Sequence, residues 1–207
     1  MEQIIEPIVC KMFQKYITDD AQKEVYVYGA TLILTTLLGI VSILLLSAIF
    51  FSIWDGVLFL TVFSVVRTSA GGYHCKTYLK CFLLSNAIFL GIMAVSLLFS
   101  YLPTLPTDTM RVLSGILFLV TWLYIFFNAP VVPINHALSK KKVLQNKLRA
   151  RCSSTIVSLF GVGCILLLYN SDSALHNATI LALTQLAIAG LMQLEKTERR
   201  TYNAGND

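Results

Sequence analysis

Between residues 25 and 66 the chain carries a single charge, Asp55. A stretch this long and this apolar cannot be wrapped by the polar surface of a small soluble domain. It predicts membrane-spanning helix, because a bilayer core takes about 20 helical residues. Two spans fit, with the reversal between Ser47 and Asp55. One long tilted span followed by a buried segment is the alternative reading of the same residues. The remaining sequence agrees with a membrane setting: only 13% of residues are charged, 56% are hydrophobic, and mean hydropathy is +0.71. Such a balance excludes an ordinary soluble domain. A net charge of +5 then reports orientation and anionic-lipid contact, with no nucleic-acid signature beside it.

Four more apolar runs follow, at 81–101, 112–129, 152–169 and 174–194. With two spans in 25–66, the predicted fold is all-α: a polytopic integral membrane bundle of six transmembrane helices in one membrane domain, 1–207. Residues 1–20 repeat Ile4, Ile5, Ile8, Val9, Met12, Phe13 and Tyr16 at spacings of three and four, which predicts an amphipathic N-terminal helix. It either lies in the membrane interface or packs on the bundle. The N-terminus is not expected to be a secretory signal, since Glu2 and Glu6 stand where positive charge belongs.

Lysine and arginine sort to one side. They lie before the first span, in the polar segment 67–80, six times in the 130–151 loop and again in the tail 195–207. The opposite connections hold Asp55, Asp108 and Asp172, with Arg111 as the basic residue at an edge. The positive-inside rule therefore puts both termini, the 67–80 segment and the 130–151 loop in the cytoplasm. The expected location is the cell membrane, with the bilayer itself as a partner and no nucleic acid.

The segment 67–80 is the chemically equipped part. Arg67, Gly71, Gly72, His74, Cys75, Lys76 and Lys80 crowd there, and Cys81 opens the next span. A thiol at a helix N-terminus near cations is biased toward thiolate, and a nearby histidine base completes a minimal activated nucleophile. Seven residues on one straight helix would hold His74 and Cys81 about 10 Å apart. The pair therefore works better if His74 sits in a loop that Gly71 and Gly72 turn back onto the helix start. Cys75 is a rival thiol, and an interfacial basic loop with a packing cysteine is the plain alternative. The five cysteines show no CxxC pair, so no metal site and no cofactor is expected. The spans carry almost no ionisable residue, which counts against the alternative reading, a small multi-span transporter or exporter of a peptide.

The run Arg67…Gly71-Gly72-Tyr73-His74…Cys81 resembles the signature of the accessory gene regulator B family, membrane endopeptidases of quorum sensing. Asn128-Ala129-Pro130-Val131 followed by Lys140-Lys141-Lys142 is similar to that family's second cytoplasmic segment. The resemblance implies a cysteine-type endopeptidase with Cys81 as nucleophile and His74 as general base. Arg67, Gly71 and Gly72 are implied as supporting residues, and Lys140, Lys141 and Lys142 could hold an acidic peptide tail. The implied substrate is a membrane-associated, accessory gene regulator D-like pro-peptide. Its tail would be released through an acyl-enzyme thioester, and a thiolactone or lactone ring closed. A homodimer is implied by resemblance alone. The oxyanion donor is either a backbone N–H at the start of the Cys81 helix or Arg67. The group orienting His74 is open among Asn86, Ser69 and a backbone carbonyl.

Overall fold

The computed structural model describes Pro7, Lys11 and residues 19–73, 75, 77–101, 107–132, 139–168 and 171–204. His74, Lys76, His136 and nearly all of the expected amphipathic stretch 1–20 lie outside these described residues. Six helices are described: α1 (Asp20–Phe50), α2 (Ile53–Ala70), α3 (Tyr78–Tyr101), α4 (Thr107–Asn128), α5 (Lys140–Leu167) and α6 (Asp172–Ala204). All six are long and apolar enough to cross a membrane, and no strand is formed among the described residues. The fold is the expected all-helical membrane bundle.

The helix α6 is its axis. It packs on α2, α3, α4 and α5, while α1 touches only α2 and α3 among the principal contacts. Burial follows: 67% of the apolar window of α6 is buried, against 11% for α1. The large apolar side chains of α1 and of the outer faces of α4 and α5 point outward, among them Leu37, Val41, Leu119 and Leu159. Outward leucines are unremarkable when the solvent is hydrocarbon.

Long-range side-chain bonds link the helices inside. The buried Gln185 of α6 accepts from Thr121 Oγ1 of α4 (3.2 Å) and Ser158 Oγ of α5 (3.1 Å), and donates to the Ser154 carbonyl (3.1 Å). Trp122 donates to Thr155 at 2.7 Å. Among the described residues no buried side-chain nitrogen or oxygen lacks a partner. Hydrocarbon demands this, because it offers no replacement donor or acceptor.

The reversal between α1 and α2 falls at Phe51–Ser52. Ser52 and Asp55 form a capping box, with the Ser52 N–H donating to Asp55 Oδ2 at 3.2 Å. Asp55 also meets His176 Nε2 of α6 at 3.4 Å, and His176 Nδ1 lies 3.0 Å from Ser96 Oγ of α3. The lone charge of residues 25–66 thus belongs to a polar tie between α2, α3 and α6. It sits about 22 Å along α2 from Ala70, at the far end of the bundle.

Two polar stretches differ from expectation. The basic stretch expected to be loop up to residue 151 is helical from Lys140, because Ser139 caps the helix (Lys142 N–H to Ser139 Oγ, 3.4 Å) and lysine is a good helix former. The stretch from Glu195, expected as a tail after the last span, continues α6 to Ala204, with Glu195 itself buried. Its inner face still has bundle to pack against, so the helix does not fray at the last apolar residue.

Candidate functional site

The last turn of α2 carries Arg67, and the helix ends at Gly71, whose N–H donates to the Arg67 carbonyl at 2.9 Å. The two glycines then take backbone angles that side chains oppose, φ +75° at Gly71 and +125° at Gly72. Space demands glycine as well. A Cβ on Gly71 would lie 2.1 Å from the Val131 carbonyl oxygen, and one on Gly72 3.3 Å from the backbone of Leu191 and Met192.

These close approaches are where three sequence-distant segments meet. The Val131 N–H donates to the Ala70 carbonyl at 2.8 Å, forming a one-residue parallel bridge between Gly71 and Val131. The Tyr73 N–H donates to the Leu191 carbonyl at 3.0 Å. Arg67 Nη2 donates to the Tyr73 carbonyl at 2.6 Å, with its guanidinium 5.2 Å from the centre of the Phe63 ring. The Asn128–Val131 stretch, including its cis Ala129–Pro130 peptide, is clasped from behind. Arg199 Nη2 bonds the Val132 carbonyl (2.6 Å), Lys196 Nζ bonds Asn128 Oδ1 (2.5 Å), and Arg151 Nε bonds the Phe126 carbonyl (3.0 Å). The stretches Arg67–Tyr73 and Asn128–Val131, some sixty residues apart, are therefore packed together.

Cys81 lies in the first turn of α3, its N–H donating to the Thr77 carbonyl at 3.1 Å. The described residues 71–73, 75 and 77 lie outside that helix, which begins at Tyr78. His74 is outside the described residues. Both Cys81 and Cys75 are free thiols, partly exposed, and Arg67 is within electrostatic reach of each. They are not equivalent. Burial, and then the neighbouring Cys81 charge, push the Cys75 thiol above its ordinary value, outweighing the opposite pull of Arg67 and Lys80. Less of Cys75 is therefore thiolate at neutral pH than of an ordinary thiol. The charge of Glu198, then burial, raises the Tyr73 phenol and keeps it a hydrogen-bond donor.

Arg67 is directed at the Tyr73 carbonyl, so its geometry is that of a loop anchor. The Cys81 N–H is engaged with Thr77, so it is not the oxyanion donor in this arrangement. Asn86 and Ser69 are occupied elsewhere: Asn86 bonds Ser42 and the Phe82 carbonyl, and Ser69 bonds carbonyls of its own helix. Lys140, Lys141 and Lys142 are exposed on the first turn of α5. They share the site's end of the bundle but stand apart from it. Arg151 reaches Phe126 there, and Lys140 lies about 16 Å further out along the helix.

Sequence reasoning missed the Val131 N–H and the Leu191 carbonyl, the clasping Lys196 and Arg199, and the buried Glu195. Only one signal pointed to them: charged residues following directly on the last apolar run, with no glycine or proline to stop the helix.

The profile of one family, accessory gene regulator B, matches residues 2–193. AgrB-like protein 2 of Clostridium perfringens (strain 13 / Type A) is 26% identical over 189 residues, covering 88% of this chain and 86% of the relative. An AgrB-like protein of Clostridium perfringens (strain SM101 / Type A) is 27% identical over 171 residues, covering 80% and 77%. No solved structure matches the chain significantly. With a profile spanning nearly the whole sequence and a six-helix bundle that unites both halves of the signature, the chain belongs to the accessory gene regulator B family.

Proposed function

We propose that the chain is a membrane-embedded cysteine endopeptidase that cuts the C-terminal tail from a quorum-sensing pro-peptide and promotes its (thio)lactone cyclisation. Family membership supports a part in accessory gene regulator peptide processing. One observation carries the finer reading. The loop Gly71-Gly72-Tyr73 is folded onto Val131 and Leu191 and anchored by Arg67, directly ahead of the helix turn that bears Cys81. A loop fixed from three sides is what a base needs if it is to meet a thiol on the next helix.

In the proposed reaction His74 takes the Cys81 proton, and the thiolate attacks a backbone carbonyl of the pro-peptide. That attack forms the C–S bond of a tetrahedral adduct, whose collapse restores the carbonyl and breaks the C–N bond. The departing amine takes the proton back from His74 and leaves with the tail. A cysteine thiol or serine hydroxyl of the bound peptide then attacks the thioester, closes the ring and frees Cys81. The thioester conserves enough reactivity for closure without ATP, and exclusion of water favours cyclisation over hydrolysis. The exposed run Lys140–Lys142 suits an acidic tail. The charge pattern supports a cytoplasmic site, cytoplasmic termini and a cell-membrane location. A homodimer is part of the same reading by family likeness.

The test is cleavage of a candidate pro-peptide by purified protein in lipid nanodiscs. Cys81→Ala and His74→Ala should abolish it at unchanged protein abundance, while Cys75→Ser should retain it. Cleavage at the normal rate by Cys81→Ala ends the reading.

A further inference from the structure

We propose that Glu195 is a positioning residue of the Cys81 site, a buried carboxylate that α6 delivers beside the Gly72–Tyr73 loop. The inference rests on the thiol-peptidase reading and goes beyond it by naming a group that the stretch 67–81 lacks. That stretch contains no aspartate or glutamate, yet a histidine that activates a thiol is itself oriented by a third group.

The geometry begins with the buried stripe of α6. Ile188, Leu191, Met192 and Glu195 are all buried, at the three- and four-residue spacing that lines one helix face. On that face Leu191 accepts the Tyr73 N–H at 3.0 Å, and the Leu191–Met192 backbone is what Gly72 approaches. One turn further on comes Glu195, only 4% exposed. One turn beyond that is Arg199, whose guanidinium holds the Val132 carbonyl at 2.6 Å. Glu195 therefore sits on the stripe between the contact that fixes the Gly72–Tyr73 loop and the contact that fixes the segment packed against Gly71.

The charged and titratable groups around this end are Arg67 on α2, Tyr73 and Cys75 in the loop, and Lys196, Glu198 and Arg199 on α6. The Glu195 charge bears on the Tyr73 phenol, as that of Glu198 does more strongly. Glu198 is exposed whereas Glu195 is not. A carboxylate kept out of solvent is costly unless it accepts hydrogen bonds or pairs with a charge. An ionised carboxylate is an acceptor with several lone-pair directions, suited to N–H and O–H donors of a short loop. His74 is the next residue after Tyr73 in the chain, and its imidazole is the group whose orientation the chemistry most requires.

The experiment compares Glu195→Gln, Glu195→Asp and wild type as full-length protein in nanodiscs, by steady-state cleavage, Cys81 alkylation with iodoacetamide, and thermal unfolding. Glu195→Gln should lower kcat about tenfold to a hundredfold, with KM and Tm little changed and with slower Cys81 alkylation. Glu195→Asp, which keeps the charge, should recover most of both rates. Wild-type kcat and alkylation in Glu195→Gln would overturn the proposal. So would losses in both variants that simply track a fall in Tm. Alkylation is read without any peptide, so it judges Glu195 even if wild-type protein cleaves nothing, an outcome that would instead sink the peptidase reading.

Discussion

At Gly71 the backbone leaves no volume for a side chain. Its φ is +75° and the Val131 carbonyl oxygen would stand 2.1 Å from an added Cβ. Gly71→Ala therefore meets two penalties, left-handed strain and a clash with backbone that cannot yield as a flexible side chain would. Together they should cost about 1–3 kcal/mol, measurable as a lowered Tm in detergent. Cleavage should fall further than stability, because the displaced atoms are the loop ahead of Cys81. Cys75 gives a pH test. Burial and the Cys81 charge raise its thiol, so less of it is thiolate at neutral pH. Its alkylation by iodoacetamide should be slow at pH 7 and still rising above about pH 8.5, where an ordinary thiol begins to level off. The rate is followed by peptide mass spectrometry of the wild type, in which cleavage after Lys76 or Lys80 separates Cys75 from Cys81. A plateau below that pH would contradict a raised Cys75 thiol.

The helices hold the site from one end and are tied at the other. α2, α3 and α6 carry Arg67, Cys81 and Glu195 respectively, and the same three helices share the tie of Asp55, Ser96 and His176. Asp55→Ala removes a capping acceptor and leaves His176 without its carboxylate. A loss of about 1–3 kcal/mol is expected from such an unmade buried contact, read as Tm in detergent. Cleavage per folded molecule should stay near wild type, since α2 sets Asp55 about 22 Å from the loop. The helices were legible in the sequence for a simple reason: hydrocarbon requires long uncharged runs, and 25–66, 81–101, 112–129, 152–169 and 174–194 supply them. Where polarity did the reading it failed. Lys140–Arg151 looked like a loop and Glu195 like a tail, yet helix persists wherever a cap or a packed inner face supports it.

For the whole molecule, the central position of α6 decides what the chain can bring together. Its end accepts Tyr73 through Leu191, clasps Asn128 and Val132 through Lys196 and Arg199, and buries Glu195 beside both. The described residues around Cys81 were legible as types and spacings: glycines where a turn was needed and cations near a thiol. Their meeting with Val131 and Leu191 was not, because a backbone-to-backbone contact between distant segments leaves no periodic mark in either. Under the proposed reaction, the thiol on α3 works only as part of this junction. The most direct measurement is intact-protein mass spectrometry of the wild type in nanodiscs after brief exposure to a candidate pro-peptide and acid quenching. The expected product is an adduct with the mass of the peptide lacking its C-terminal tail, localised to Cys81, cleaved by hydroxylamine as a thioester, and absent from Cys81→Ala and His74→Ala. Cleaved peptide without any such adduct, or an adduct on another residue, would contradict the proposed reaction.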